Sequence, residues 1–496
     1  MTIPFTHIRK LYIDGAWVAP DAGSEDVINP ATEASIGQAP QASAAQVEAA
    51  IAAARHAFDR GPWPAMSMNE RANIMQRMVD ALHARQEEIV ALIIAEVGCA
   101  QHVSRGMQVA IPIKHLVSAI AAARRDVPER LPLDITPNMF MPDGPQSIGG
   151  ATVVREPIGV VSAITGYNFP FLLNLAKITP ALLAGCTIVL KPSQFTPFSA
   201  LLFGEIADEI GLPKGVLNIV TGGVAEGQLL CTDERVDMVS FTGSEAVGAM
   251  IMAQAAATLK KVHLELGGKS AMIVRHDADV QRAAAMAVGC LSVNAGQGCA
   301  IPTRILVHNS IRPAFSAIAK AVAAQIKVGD AADPSVTMGP LIRASQRAKV
   351  ERYIALGIEA GATLLCGGGR PSGLSRGFFA EMTLFDNVTN DMAIAQDEIF
   401  GPVGCIIGFD SDEEAIAIAN DSRYGLNGAI ETADAAKGYA MALRIRTGSV
   451  ALNGGTGTMS FAPIGGYKRS GIGREYGPHW LREYQHEKSI FYPIGR

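Results

Sequence analysis

Four short segments of the 496-residue chain place a chemically useful side chain beside glycine or at the end of an expected strand. In NAGQGCAIPT, residues 294–303, Cys299 stands among small residues, and Gly296 and Gly298 remove side chains on either side of Gln297. A loop of that kind lets a substrate approach the sulfur and lets the Cys299 amide face a bound oxygen. A thiol is nucleophilic but mostly protonated at neutral pH, so it needs a base or an electropositive neighbour. In LELGGKS, Glu265 precedes two glycines and can point into a cleft as a general base. In ITGYNFPF, Asn168 follows an expected strand and precedes a helix, where its amide can donate to a developing oxyanion. In FTGSEAVG, Ser244 opens an expected helix whose free amides can hold a phosphate. Each segment taken alone also has a plainer reading: a buried structural cysteine, a solvent-facing glutamate, a turn asparagine and an N-capping serine.

The elements that must position these groups follow from the apolar pattern. From residue 157 onward the short runs IGVVSAI, GCTIVLKP, GVLNIVTG and VDMVSFTGS alternate with helix-period segments. That alternation predicts a parallel, doubly wound sheet with its ligand at the carboxyl ends of the strands. SAMIV, a helix from about 278, TRILVH and a helix from about 311 predict a second α/β domain. Upstream, KLYIDGAWV reads as a short hairpin, and residues 43–60 read as a helix opening at Ser43. Residues 127–150, rich in Pro, Gly and Asp, mark a boundary or an excursion from the domain.

Composition narrows the function classes. With 49% hydrophobic and 18% charged residues the chain is well cored, and its length exceeds what one core supports. A net charge of −5 and the absence of a Lys/Arg block give no footprint for nucleic acid. Apolar runs are interrupted before the roughly 18–20 residues of a membrane span. The start MTIPFTHIRKLYIDG lacks a basic segment followed by an apolar run, so a cytoplasmic protein is expected. The seven cysteines are odd in number and scattered without C-x-x-C pairs, and the ten histidines show no H-E-x-x-H spacing. Neither a disulfide framework nor a metal site is expected.

In this order the four segments resemble the NAD(P)-dependent aldehyde dehydrogenase superfamily. The resemblance covers nearly the whole chain, from LYIDGAWV and INPATEASIG to GGYKRSGIGREYG. LELGGKS and GQGC place glutamate and cysteine 34 positions apart, as in that family, and GCTIVLKPS, FTGS and DEIFGPV fall in family order. The resemblance implies a Rossmann-like cofactor domain (1–128 and 151–264), a second α/β catalytic domain (265–468) and a small β oligomerisation extension (129–150) joined by a return segment and tail (469–496). It implies Cys299 as nucleophile, Glu265 as general base, and Asn168 with the Cys299 amide as the oxyanion hole. Lys191 is then expected at the adenosine ribose, Ser244 at the pyrophosphate, and Glu398 and Phe400 at the nicotinamide ribose and ring. Ile164, Thr165, Gln194, Gly243 and Leu266 complete the expected cofactor site. The implied reaction forms a Cys299 thioester as hydride passes to NAD(P)+, then hydrolyses it to the carboxylic acid. A homodimer or homotetramer acting on a small-molecule aldehyde, without nucleic acid or membrane, is implied as well.

Three departures from the family pattern refine these expectations. KPSQ puts Gln194 where relatives carry a glutamate, so exclusion of NADP is expected to weaken, with NAD still the first cofactor. TGYNFP replaces a commoner PWNFP, with Asn168 kept. The expected substrate pocket comprises Phe169, Leu172, Leu173, Ala176, Val293, Ile301, Thr458 and Ile464. Relatives carry bulky aromatics at the positions of Ala176, Val293 and Thr458, so a wider tunnel is expected. NGGTGTMSFAPIGG holds no arginine for a substrate carboxylate. An uncharged, bulky apolar aldehyde (aromatic, terpenoid or medium-chain aliphatic) is therefore expected, the alternative being a broad-specificity or semialdehyde dehydrogenase. A CoA-acylating relative is disfavoured by Glu265, and a catalytically silent structural member by the intact Cys299, Glu265, Asn168 and Glu398.

Overall fold

A computed structural model describes residues 7–136, 140–141, 143–144, 146–455 and 459–495. The hairpin read from KLYIDGAWV forms from the antiparallel strands Leu11–Ile13 and Ala16–Val18. Ser43 opens the helix Ala44–Arg60 with a reciprocal cap: its hydroxyl accepts the Gln46 amide, and the Gln46 side chain accepts the Ser43 amide. Two amides without helical partners are thereby satisfied at that terminus.

The four apolar runs become neighbouring strands of an eight-stranded sheet. Its order is Ala16–Val18, Leu11–Ile13, Leu217–Ile219, Thr187–Lys191, Val160–Ile164, Met238–Thr242, Lys261–Glu265, Gly471–Ile472. The five from Leu217–Ile219 to Lys261–Glu265 run parallel. Along them, alternate residues enter separate cores: Val161, Ile188 and Leu190 on one face, Val160, Val189 and Val239 on the other. Both faces are covered, which is why these strands read as continuous apolar runs. The register pairs Ile164 with Lys191 and with Phe241, and Thr242 with Glu265, so all four strands end at one carboxyl edge.

A seven-stranded sheet follows, in the order Thr363–Cys366, Thr383–Asp386, Val403–Phe409, Pro302–His308, Ser270–Val274, Asn427–Glu431, Ser449–Leu452. Only its first pair is antiparallel. Met272, Ile305, Leu306, Phe315 and Ile406 belong to its own core.

The excursion after residue 127 builds a third sheet. Ser147–Pro157 pairs antiparallel with Gln485–Gly495 on one side and with the short strands Glu129–Arg130 and Asp134–Thr136 on the other. Its long strand runs to Pro157, past the boundary expected at 150. Leu133, Ile135, Phe140, Phe491 and Ile494 are exposed on this extension.

One helical stretch qualifies the expectation about membrane spans. Gln101–Ala123 is long and apolar enough to cross a membrane by length and composition, and half of its most apolar window is buried inside the protein. It packs against the helices Met68–Ala84 and Pro170–Ala184. Its middle, Ser104–Ala110, is π-helical, a local widening common near functional sites.

Candidate active site

The loop carrying Cys299 leaves the helix Val280–Ser292 through three successive left-handed residues: Asn294 (φ 48°), Ala295 (φ 52°) and Gly296 (φ 72°). For the two non-glycine residues this conformation costs roughly 1–2 kcal/mol each. Hydrogen bonds hold it in place. Asn294 Nδ2 donates to the Asn168 carbonyl (2.8 Å), Gln297 Nε2 donates to the Asn294 carbonyl (3.0 Å), and Gln297 Oε1 accepts the Ile342 amide (3.0 Å).

The two glycines flanking Gln297 have different tasks. A Cβ on Gly296 would fall 2.1 Å from the Gly401 carbonyl oxygen, so Gly296 serves the close approach of two backbones rather than substrate access. A Cβ on Gly298 would lie 2.7 Å from Ile301 Cδ1 and 3.8 Å from Phe169 Cε2. Gly298 thus packs under the Ile301 side chain, with the Phe169 ring further out. Gly296→Ala is expected to lose on the order of 2 kcal/mol or more of stability, from its positive φ and the clash. Gly289→Ala, within a helix and with nothing inside 4 Å of its Cβ position, is expected to gain about 0.5–1 kcal/mol. Paired urea titrations check both.

Asn168 stands between the strand Val160–Ile164 and the helix Pro170–Ala184. Its Nδ2 donates to the Gln297 carbonyl at 2.9 Å, which uses one of the two amide hydrogens and leaves the other available. Its own carbonyl accepts Gln108 Nε2 at 2.9 Å, as well as Asn294. Gln108 comes from the π-helical segment.

Glu265 ends the strand Lys261–Glu265, and the two glycines after Leu266 seat the remaining groups. A Cβ on Gly268 would lie 2.4 Å from the Cys299 carbonyl oxygen, and one on Gly267 would lie 2.5 Å from Glu398 Oε2. The Gly268 amide donates to Glu398 Oε1 at 3.1 Å. LELGGKS thus supplies a carboxylate and a side-chain-free surface on which Cys299 and Glu398 rest. In the second sheet, Ser270, Pro302 and Val403 begin adjacent strands directly after these residues. The cleft therefore lies between the carboxyl edge of the first sheet and the amino edge of the second. The sequence pattern predicted only the first of these.

Electrostatics at the centre are dominated by burial. Glu265 is buried, its Oε1 has no hydrogen-bond partner among the described residues, and its pKa is held well above the usual carboxylate range. Burial is the main cause and the nearby Glu475 carboxylate adds to it, while Lys177 and Arg474 oppose. Lys177 Nζ donates to Glu475 Oε1 at 2.6 Å in a buried ion pair. The Cys299 thiol is pushed up to about 12 by burial and then by the Glu265 and Glu398 carboxylates, although the residue as a whole is partly exposed.

Of the residues expected around a cofactor, Ile164, Thr165, Lys191, Gly243, Ser244 and Leu266 end or follow parallel strands of the first sheet. Burial holds Lys191 down to about 8 at its strand end. Phe400 (φ 59°) meets Tyr167 edge-on at 5.9 Å, and Tyr167 meets Phe195 edge-on at 6.2 Å. Lys349 Nζ donates to the Glu398 carbonyl and Gln346 Nε2 to the Phe400 carbonyl, fixing that loop. Ser244 caps the helix Glu245–Ala255, accepting the Val247 amide at 3.4 Å, so its plainer reading also holds. The Gly243 amide donates to the Glu265 carbonyl, and the Leu266 amide to the Ser470 carbonyl. Ile164 is half-buried at its strand end. The Thr165 hydroxyl turns inward to Asn174 Oδ1 at 2.7 Å, so only its backbone can face a ligand.

Among the expected pocket residues, Phe169 and Ile301 flank Gly298, and Val293 and Ile464 are half-buried against the first core. Leu173 Cδ1 lies 3.5 Å from the Cβ position of Gly166. Ile464 exchanges backbone hydrogen bonds with Glu475. Thr458 lies outside the described residues. Ala176 does not open a bare space: with Leu172 it packs against His115, Tyr476 and Trp480, leaving no room for a water molecule. The three rings pack in series at tilted angles, with 4.2 Å and 4.7 Å between centroids.

Sequence reasoning missed Gln108, Lys177, Asn294, Gln297, Glu475 and Tyr476. Lys177 carried a signal, as the one charged residue in the helix PFLLNLAKITPALLA, where a buried ammonium requires a partner. Tyr476 (φ 60°) is left-handed and buried, which no pattern indicates.

Sequence and fold are similar to those of known proteins over nearly the whole chain. The profile of the aldehyde dehydrogenase family matches residues 17–490. The 3-succinoylsemialdehyde-pyridine dehydrogenase of Pseudomonas sp is 41% identical over 491 residues, covering 97% of this chain and 98% of the relative. An aldehyde dehydrogenase of Mycobacterium tuberculosis, solved with NAD+, superposes with a TM-score of 0.93 at 43% identity over 99% of both chains. A variant of aldehyde dehydrogenase C from Pseudomonas syringae, solved with NAD+ and octanal, gives a TM-score of 0.91 at 40% identity, covering 98% of this chain and 96% of that one. The chain belongs to the aldehyde dehydrogenase family.

Proposed function

We propose that this protein oxidises an uncharged, bulky apolar aldehyde to its carboxylic acid, with NAD+ as the hydride acceptor. The observation that carries the reading is the meeting of Cys299, Glu265 and Glu398 on Gly267–Gly268, with one Asn168 amide hydrogen left free. Bound NAD+ supplies the hydride acceptor. The donor set suits it: a lysine at a strand end, a helix start at Ser244, and a carboxylate held against two glycines. We assign Lys191 to the adenosine ribose, Ser244 to the pyrophosphate, and Glu398 and Phe400 to the nicotinamide ribose and ring.

Cys299 gives up its thiol proton to solvent and adds as the thiolate to the aldehyde carbon, and the resulting oxyanion is held by Asn168 Nδ2 and the Cys299 amide. Losing one such donor costs on the order of 10²–10³ in turnover. Loss of hydride from that carbon leaves a thioester on Cys299. Glu265 then takes a proton from a water that adds to the thioester carbon, the C–S bond breaks, and the acid departs with Cys299 regenerated. The unpartnered, buried Glu265 Oε1 is suited to holding that water. Next to it, the Lys177–Glu475 pair offers a place for the proton to leave.

The aromatic rings packed around Ala176, with no Lys or Arg among the described residues beside them, support an uncharged substrate. The octanal bound by the Pseudomonas syringae relative points the same way. In a panel followed by NADH absorbance, kcat/KM for octanal, benzaldehyde or citral is expected to exceed that for a short ω-carboxy aldehyde at least about tenfold, or ~1.4 kcal/mol. The reverse order would overturn the substrate class and favour a semialdehyde. The exposed apolar residues of the third sheet support contact with a second copy of the chain, as a dimer or tetramer.

A further inference from the structure

At the corner assigned to the adenosine ribose, Lys191 and Gln194 meet the glycine turn that opens the helix Val224–Thr232. Glu226, in the first turn of that helix, folds back so that its Oε2 accepts the Gly223 amide at 2.7 Å. A Cβ on Gly222 would sit 2.8 Å from the same oxygen. A Cβ on Gly223 would lie 3.7 Å from Gln194 Oε1 and 3.8 Å from Glu226 Oε2, so these two side chains flank one glycine. One turn further, the Cβ position of Gly227 is 3.9 Å from Lys191 Cδ and Cε. Lysine, glutamine and glutamate therefore form a single cluster, contributed by a strand end, the loop after it and a helix start.

We propose that Glu226 sets the choice between NAD+ and NADP+. Gln194 carries no charge, which taken alone removes the repulsion that would exclude a 2′-phosphate. Glu226 puts a carboxylate back beside the same position from a different element. It also occupies the backbone amide that the helix terminus would otherwise offer to an anion. A dianionic 2′-phosphate meets a fixed negative charge there, and Lys191, the cation of the cluster, already faces that carboxylate. The ribose hydroxyls of NAD+ meet no such repulsion, and both carboxylate and amide oxygens can accept from them. The weakened exclusion of NADP expected from Gln194 is thereby cancelled. This inference rests on the assignment of the Lys191 corner to the adenosine ribose.

The test is the ratio of dissociation constants for NADP+ and NAD+, measured by titration calorimetry on the full-length protein without aldehyde. Glu226→Gln keeps an oxygen to accept the Gly223 amide and removes the charge, so the fold is retained, which a melting curve checks. Its NADP+/NAD+ Kd ratio is expected to fall 10–100-fold from that of the parent protein, and 2′-AMP is expected to tighten in parallel. Adding Gln194→Glu to that variant is expected to raise the ratio again. Lys191→Met serves as the control for the corner and is expected to weaken both dinucleotides. If it does so while Glu226→Gln leaves the ratio within twofold, the role of Glu226 is overturned and the corner stands. If Lys191→Met changes neither constant, the corner assignment fails, and the role of Glu226 with it.

Discussion

A Glu265→Gln protein mixed with NAD+ and an accepted aldehyde will release about one equivalent of NADH per site in a rapid phase and then slow by on the order of 10²–10⁴. The burst comes from acylation, which uses Cys299 and the oxyanion donors. The stall comes from deacylation, which needs a base to take a proton from water. Glutamine is a fair probe here because Glu265 Oε1 has no hydrogen-bond partner to lose and the neighbouring Glu475 carboxylate repels the charge that is removed. Cys299→Ala is expected to abolish both phases, since it removes the nucleophile on which the thioester forms. The two variants together separate the steps: one loses the thioester, the other accumulates it. A Glu265→Gln enzyme that kept the parent steady rate would remove Glu265 from the mechanism. Mass spectrometry of the stalled protein adds a second readout, an acyl adduct on the peptide carrying Cys299.

The parallel strands of both sheets were legible because burial on two faces writes them as short apolar runs bounded by Gly, Pro and Ser, and those runs became Val160–Ile164, Thr187–Lys191, Met238–Thr242 and Ser270–Val274. Cys299, Glu265 and Asn168 were legible for a related reason: each lies at or near an element end within two residues of a glycine, and glycine there marks a backbone that must come close to something. What it comes close to was not legible. Gly296 looked like an opening for substrate, yet it packs on Gly401, a residue more than a hundred positions away. The amino edge of the second sheet faces the cleft because of how two separately cored sheets dock, and no local period records docking. The packing around Ala176 illustrates the same limit. A small residue in one helix predicts space, but the aromatic rings bordering it come from His115 and from Tyr476 and Trp480 near the end of the chain. Likewise the strand Ser147–Pro157 owes its length past residue 150 to pairing with Gln485–Gly495, a partner that local composition could not reveal.

The buried pair behind Glu265 yields the second large effect, on pH dependence. Lys177 and Glu475 are 298 positions apart and join at 2.6 Å, with Glu475 raising the Glu265 pKa and Lys177 lowering it. Glu265 acts as a base only when deprotonated, so deacylation falls as pH drops through its raised pKa. Glu475→Gln removes the repelling carboxylate and leaves the Lys177 ammonium uncompensated beside Glu265. Both changes favour the ionised base, so the acid limb of the deacylation profile is expected to move to lower pH. Lys177→Met does the opposite: it deletes the cation and leaves two carboxylates facing each other, so the limb is expected to move to higher pH. Breaking the pair from that side also strands a buried charge and costs about 3–5 kcal/mol of stability. Deacylation is therefore followed in single turnover, at temperatures where circular dichroism shows each variant folded. Shifts of opposite sign support an electrostatic coupling of the pair to the base. Shifts of the same sign, or none, would show that Lys177 and Glu475 only hold the helix Pro170–Ala184 to the Gly473–Tyr476 turn, because a purely structural lesion slows the reaction without moving the pH at which its base ionises.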